Sequence, residues 1–447
     1  MRPVLILCEP RHLADVLVHI QAHAHPQLIG AMVTAYAVNP DLVMQEAQNQ
    51  VISWVLEARK ANEGCQVVAT REIARFLELP ALKVPLKFDL RITSAASLTA
   101  RENRGNPLVK SLITGSGLDV VSAASSMAQQ WSHASLNRAH VEHWLQQFVR
   151  LDRNGWIGKA LLGQVRLTSS AALSETLFNM TVDPDAAICV SREPRGGFKS
   201  ADVLGNMLHK RFIGRKVHPS PAAAIEIGGQ RRVVLFEDGL WSGTEAMGII
   251  DSLLGRRDSK LKTARLQVPE LLRETSFRLA YAVGTDYGQA LLRRYLDDNE
   301  LPNVEIHCSD VLQIAQPELL AQMRDPSFAL SSIRDAGPES ALLRPHVFEA
   351  LKGQGMSHGD VARAVAFSKT VGAQLFSNYV DAMKVTAGWS AWAPEKIERA
   401  SVGMHGLGLT HGFSHSIPKA SLPLFWGSGK VQLNGSEVNW SPLFPNS

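Results

Sequence analysis

Residues 231–245 read RRVVLFEDGLWSGTE, and the order of parts in this stretch decides how the rest of the chain is read. Four apolar residues, Val233 to Phe236, lead into two acids, Glu237 and Asp238. A short loop follows, Leu240-Trp241-Ser242-Gly243-Thr244, and then a helical pattern from about Ala246. An unbroken apolar run ending in a turn and a helix predicts a central parallel strand. Open α/β sheets bind ligands at the carboxyl ends of such strands, so the acids stand where a ligand would stand. Ser242, Gly243 and Thr244 offer two hydroxyls and a run of backbone N–H groups at a helix N-terminus, which favours a phosphate. The paired carboxylates just before them suit vicinal ribose hydroxyls or a divalent cation such as Mg2+. Phosphate beside diol is what a 5-phosphoribosyl group presents.

A second stretch has the same logic. Ala186 to Val190 (AAICV) is a buried-strand pattern, and Ser191 to Ser200 (SREPRGGFKS) is a loop that opens a helix from about Ala201 to Arg211. Gly196 and Gly197 let the backbone come close to an anion, while Arg192, Arg195 and Lys199 add charge-assisted hydrogen bonds. The intervening 212–229 (FIGRKVHPSPAAAIEIGG) has the composition either of a mobile basic loop that closes over a site or of an exposed hairpin.

Composition sets the frame. The chain has 447 residues, 45% hydrophobic and 20% charged, with a formal charge of +4 and a pI near 8.8. That is an ordinary soluble globular balance over two or three domains, mildly basic and so compatible with an anionic ligand without requiring nucleic acid. No run of about 18 apolar residues is present and Met1-Arg2-Pro3 leads straight into a strand-like VLILC, so the expected location is cytoplasmic, with no membrane partner. Cys8, Cys65, Cys189 and Cys308 are scattered without a CxxC pair and read as small buried thiols rather than disulfide or zinc ligands.

Residues 1–130 read as a separate N-terminal α/β domain. Its pattern is a strand at Val4 to Cys8, a helix at Leu13 to His23, an apolar run at Ile29 to Tyr36, a long helix after Asn39-Pro40-Asp41, and a further apolar piece at Gln66 to Ala69. His19, His23 and His25 lie close together, but no acid or Cys completes a metal set, and a solvated helix end is the expectation. Residues 83–117 are broken by Pro and Gly and read as loops and short strands with a modest basic surface.

A Ser/Ala/Gln-rich boundary between Ser122 and Ser135 precedes the second domain, 135–447, with a core at 182–310 and an extension at 311–447. HVEHWLQQFVR (His140 to Arg150) places Val141, Trp144, Leu145 and Phe148 on one helical stripe, and Trp156 to Leu167 continues in that style. Phe277 to Val283 and Val304 to Cys308 are strand patterns, with a helix at Gln289 to Asp298 between them. Ser357 to Lys384 is a long helical region, interrupted near Gly372. In the final forty residues His405, His411 and His415 are weighed as a zinc set against a β-rich terminal cap that packs Trp426, Trp440 and Phe444; the cap is favoured.

The strand, double acid and small-hydroxyl loop at Val233 to Thr244 resemble the phosphoribosyl-pyrophosphate loop of type I phosphoribosyltransferases. Ser191 to Ser200 is similarly placed to that family's pyrophosphate loop. HWLQQF, EDGLWSGTE, GLGLTHGFSHSIPKASLPLFW and WSPLFP together resemble the phosphoribosyltransferase-like family of prokaryotic conflict systems, PRTase-CE, over roughly His140 to Pro445. The resemblance implies a parallel sheet flanked by helices, with the β-rich cap, and a role in anti-phage defence beside a reverse transcriptase or nuclease. It implies an enzyme acting at C1 of a 5-phosphoribosyl group, from phosphoribosyl pyrophosphate or a nucleotide. Asp238 and Glu237 would hold the ribose hydroxyls with Mg2+, and Asp238 would serve as base. Ser242, Gly243 and Thr244 would hold the 5-phosphate, and Arg192, Arg195, Gly196, Gly197 and Lys199 the pyrophosphate. A nucleotide N-glycosidase and a non-catalytic nucleotide sensor or partner-docking protein are the alternatives. Three departures from the ordinary transferase pattern stand out: Gly239 in place of an apolar residue, bulky Trp241 in place of a small one, and the acid Glu245 beside the phosphate loop.

Overall fold

The computed structural model describes residues 3–23, 32–39, 43–59, 64–94, 119–152, 155–180, 184–194, 200–227, 229, 231–256, 261–330, 340–353 and 356–445. Four strands, β1 Val4–Cys8, β2 Val33–Ala37, β3 Cys65–Thr70 and β4 Phe88–Thr93, form a parallel sheet in the order β2-β1-β3-β4. β1 is buried along its length because its pleat feeds two cores. Val4, Ile6 and Cys8 face Val16 and Ile20 of the helix Pro10–His23, while Leu5 and Leu7 face Ala47, Val51 and Val55 of the helix Met44–Arg59.

The remaining strands are β5 Arg166–Thr168, β6 Ala187–Cys189, β7 Val217–His218, β8 Arg232–Leu240, β9 Ser276–Thr285, β10 Val304–Leu312, β11 His411–Phe413, β12 Gly429–Leu433 and β13 Ser436–Trp440. β6 to β10 make a parallel sheet ordered β10-β9-β8-β6-β7. β6 leads outward to β7 through the helix Ser200–Arg211, and β8 leads the other way to β9 through the helix Thr244–Leu253. Connections from neighbouring strands that depart in opposite directions make a topological switch point between β6 and β8, where right-handed crossovers put the two helices on opposite faces. The crevice of this fold therefore lies at the carboxyl ends of the two strands that carry the loops singled out above.

A third core holds the segments that flank this sheet in sequence. The predicted stripe Val141, Trp144, Leu145 and Phe148 is buried on the helix Arg138–Asp152, against Phe425, Trp426, Trp440 and Phe444 of the C-terminal segment. Val120, Ala124 and Met127, from the helix Val120–Ala128, enter the same core. The indole N–H groups of Trp144 and Trp440 both donate to the Leu424 carbonyl, at 2.9 and 3.1 Å. β12 and β13 form a hairpin whose turn, Asn434-Gly435, has both residues at positive φ, as a two-residue turn of matching twist requires. Among the described residues no helix is long and apolar enough to cross a membrane.

Several local expectations are corrected. Residues 212–227 are neither a mobile loop nor an exposed hairpin: β7 pairs parallel with β6 as the sheet edge, with Val190 N–H and Arg192 N–H donating to His218 and Pro219 carbonyls, and Ser220, Ala222 and Ala224 buried. A two-residue edge strand carries no periodicity to read. Leu79–Leu86 is helical despite its two prolines, because Pro80 sits in the first turn where no amide donor is needed. Arg166–Thr168 leaves its helix after Gly163 and becomes β5, parallel to β11. β8 and β10 run on to Leu240 and Leu312, beyond the expected Val233 to Phe236 and Val304 to Cys308, since the ladder to β9 continues there. The helix His358–Ala387 is unbroken at Gly372. A Cβ there would lie 1.9 Å from the Ser401 carbonyl oxygen, so this glycine permits a close approach and interrupts nothing. The side chains of His19 and His23, together with His25 and 95–118, lie outside the described residues.

Gly372 separates two effects of opposite sign. In an exposed helix interior Gly→Ala gains about 0.5–1 kcal/mol, whereas overpacking costs about 1–3 kcal/mol. Gly372→Ala is expected to destabilise, with a lower urea midpoint; a raised midpoint would contradict the close approach to Ser401.

Candidate active site

Helix Thr244–Leu253 starts from Gly243, which sits at φ +76° and offers no capping side chain, so the first-turn amides are left for an external acceptor. The Oγ atoms of Ser242 and Thr244 are 2.9 Å apart across this opening. The loop is anchored from behind. Thr285 Oγ1 donates to the Trp241 carbonyl at 2.5 Å and accepts from Gly288 N–H at 2.8 Å, tying the loop to the end of β9. Ser242, Gly243 and Thr244 thus form a short loop that ends at the start of this helix.

The departures at Gly239 and Trp241 are one feature. A Cβ at Gly239 would stand 2.1 Å from Trp241 Cζ2, so the indole folds back over the strand only because residue 239 has no side chain. Its other neighbours are His411 and Phe413, at ring separations of 6.4 and 6.1 Å. Glu245, the acid beside the loop, is 75% exposed at its side chain and paired with Lys262 Nζ at 3.2 Å. Its repulsion toward an anion is partly offset there.

Consecutive strand residues point to opposite faces, and this separates the two acids. Glu237 faces the helix Thr244–Leu253 side. Ser191 N–H donates to its carboxylate, Lys262 and Glu245 lie close, and Tyr281 is its partner in the β8–β9 ladder. Burial first, then the charges of Asp238 and Glu245, push its pKa well above the carboxylate range, against the pull of Ser191 and Lys262. Glu237 therefore keeps a proton far more readily than an ordinary Glu. Lys262 is buried against its own charge, yet Glu245 and Glu193 outweigh that and raise its pKa. The Tyr281 hydroxyl is buried on this face with no hydrogen-bond partner among the described residues, and burial and Glu237 raise its pKa.

Asp238 faces the other helix. Ser200 Oγ, at the first residue of Ser200–Arg211, donates to Asp238 Oδ2 at 2.5 Å, and His415 Nε2 lies 3.2 Å from the same oxygen and 3.0 Å from Ser200 Oγ. Both side chains of the pair are largely buried, at 5% exposure for His415 and 14% for Asp238. Among the described residues His415 Nδ1 is buried without a partner, and Nε2 makes the imidazole's polar contacts. The arrangement is not the Ser–His–Asp relay, in which the carboxylate binds Nδ1 and the serine Nε2; here both meet at Nε2.

His415 comes from the C-terminal segment. β11 pairs with β5, Ser414 N–H donates to Thr168, Ser132 N–H donates to Ser414, and the His133 ring meets the His415 carbonyl at 2.8 Å. Phe413 stacks on His415 at 5.8 Å. Sequence reading missed Ser200 and His415 as one site, and weighed His415 only as a zinc ligand. Among the described residues no group of three or more His, Cys, Asp and Glu can hold a metal. The legible signal was three histidines in an otherwise apolar, small-residue terminus.

Of the second anion loop, Arg192 is described and Arg195, Gly196, Gly197 and Lys199 lie outside the described residues. Arg192 Nε pairs with Asp202 at 2.9 Å, which directs it to the first turn of the helix Ser200–Arg211. Mg2+ prefers one or two carboxylates completed by ligand phosphates. The pleat denies it a chelating pair, but Asp238 or Glu237 singly, with diphosphate oxygens, fits that pattern.

A parallel sheet with a switch-point crevice, an acid at the strand end and an open Ser-Gly-Thr loop before a helix define a phosphoribosyltransferase-like protein. The PRTase-CE family model matches residues 141–446, over half of the chain, and the chain belongs to the PRTase-CE family. Comparison with curated proteins finds no match.

The buried imidazoles under β11 make stability pH-dependent. His411 is pushed down to about 4, by burial first and then by Arg166 and His346 with Asp310 opposing, and His346 is likewise down to about 4 through burial and Arg166. An unfolded imidazole titrates near 6.5. Below that pH the unfolded chain takes up protons the folded chain refuses, so stability is full above about 6.5 and is lost as pH falls toward 4. His411→Leu is expected to flatten this slope, by up to about 3 kcal/mol at the acid end. Urea unfolding at stepped pH checks it: parallel slopes for both proteins would rule the depression out.

Proposed function

We propose that this protein acts at C1 of a 5-phosphoribosyl group, taken from phosphoribosyl pyrophosphate or a nucleotide, as an effector in prokaryotic anti-phage defence. The observation that supports the reading best is the meeting of the open Ser242-Gly243-Thr244 loop and the buried Asp238 carboxylate at the β6–β8 switch point. Membership of the PRTase-CE family supports the same ligand class.

In this scheme the loop hydroxyls and amides hold the 5-phosphate, and Asp238 accepts from the ribose hydroxyls. Ser200 and His415 fix the direction of its carboxylate. The C1–O bond to pyrophosphate breaks as a bond from C1 to an acceptor nitrogen forms, and the leaving electron pair stays on pyrophosphate. A nucleotide donor reverses the roles of base and pyrophosphate, and water as acceptor makes the reaction an N-glycosidase. Such displacements develop positive charge at the sugar, so positioning, a nearby carboxylate and exclusion of water do most of the catalysis. Glu237, inclined to stay protonated, is suited to donate a hydrogen bond to the sugar or the base. Magnesium, held by one carboxylate and the diphosphate, would offset the leaving group's charge. Arg192, Arg195, Gly196, Gly197 and Lys199 remain the proposed pyrophosphate contacts, and an adjacent reverse transcriptase or nuclease the proposed partner.

A non-catalytic nucleotide sensor is the second reading. It is favoured by the Asp238 oxygen being already engaged by Ser200 and His415.

Isothermal titration with phosphoribosyl pyrophosphate and with nucleotides, each with Mg2+, tests the ligand. The wild type is expected to bind, and Asp238→Asn to bind at least about tenfold more weakly, since a hydrogen bond to a charged acceptor is worth about 1.5–3 kcal/mol. No binding by the wild type would sink both readings. Mass spectrometry of nucleotide pools after induction divides them: new free base marks the glycosidase, and unchanged pools with defence intact in the Glu237→Gln, Asp238→Asn double variant mark the sensor.

A further inference from the structure

Lys419 lies in the loop that follows His415, against the Trp426 and Tyr379 rings. Its Nζ stands 3.9 Å from the centroid of the Trp426 ring and 4.9 Å from that of Tyr379. It opens into a pocket of about 400 Å3 bounded by Tyr379, Ala382, Trp426, Pro442 and Pro445. Among the described residues no acid lines this pocket, and Lys419 has no carboxylate within ion-pair distance. Asn378 directs its amide to the Ser428 and Lys430 carbonyls, and among the described lining residues the Lys419 ammonium is the cationic donor that faces a ligand, beside the Ser428 hydroxyl. The backbone at Lys419 is fixed, its carbonyl accepting from Met404 N–H at 2.7 Å.

A half-buried cation facing two ring faces is only partly compensated. The ring quadrupoles attract it, but desolvation favours the neutral amine, and burial alone draws its pKa down to about 8. The unused side of the ammonium faces the pocket, whose walls combine Ala382, Pro442, Pro445 and the Tyr379 and Trp426 rings with the polar Asn378 and Ser428. A cation in a concavity with apolar and ring walls and a polar margin is complementary to a ligand with a negative head and an apolar or planar body. We propose that the Lys419 pocket binds an organic anion, a carboxylate or a phosphate carried on an apolar or planar body, at a site separate from the β8 strand end.

The experiment titrates the full-length protein with benzoate, AMP and inorganic phosphate, in wild type, Lys419→Met and Asp238→Asn. Met keeps the length and apolar stem while removing the charge. Benzoate, AMP or both are expected to bind the wild type and Asp238→Asn alike, and Lys419→Met about tenfold more weakly or not at all; which of the two binds names the head group. Failure of all probes, or equal binding by Lys419→Met, overturns the proposal. A probe lost in Asp238→Asn but kept in Lys419→Met belongs to the strand-end site and also counts against it. Thermal unfolding without ligand gives a second readout. If the lysine is retained for a ligand, Lys419→Met melts no lower than wild type; a fall of several degrees would show its cation–π contacts to be structural and overturn the proposal. Loss of the phosphoribosyl assignment leaves this test untouched, because it reads Lys419 and not Asp238.

Discussion

Three residues of parallel pairing, His411–Phe413 on Arg166–Thr168, hold the candidate site in its present form. Parallel neighbours need long connections, and here the connection is nearly the whole five-stranded sheet with its extension. The ladder is short, but its continuation is dense: Ser414 is held to Thr168 and Ser132, and His133 meets the His415 carbonyl. These contacts set the imidazole 3.2 Å from Asp238. Residues far apart in sequence thus determine one another's positions, an arrangement whose loop-closure entropy is paid at folding.

The pleat of β8 is the second constraint. Two adjacent acids are chemically alike, yet one strand step sends them to opposite faces and into different surroundings. Glu237 meets burial and two like charges, which hold it toward the protonated form against the pull of Ser191 N–H and Lys262. Asp238 meets a serine hydroxyl and an imidazole, both on one oxygen. Carboxyl groups whose environments are pushed apart in this way are the usual basis for dividing donor and acceptor tasks in one site.

Much of the fold was legible because periodicity is local. The apolar run Val233 to Phe236, the helical stripe Val141, Trp144, Leu145 and Phe148, and the strands around Phe277 and Val304 all lie where side-chain pattern places them. The Ser242-Gly243-Thr244 loop was legible for the same reason, since hydroxyls, glycine and helix start are adjacent in the chain. Where the reading erred, local pattern lacked the deciding partner. Gly372 looks like a helix breaker in one dimension and is a packing contact with Ser401 in three. β7 is too short to show an alternation, and its strand character comes from β6.

The sequence by itself determined the strand–acid–loop–helix order, the α/β class and the family resemblance, because these depend on residues within a few positions of each other. Only the tertiary structure decided which groups meet Asp238, that Glu237 faces elsewhere, that Trp241 lies over Gly239, and that Lys419 stands against two rings. The physical reason is that hydrogen bonds and burial act over a few ångströms of space. The chain from Ser200 to His415 folds through the whole sheet before those distances exist.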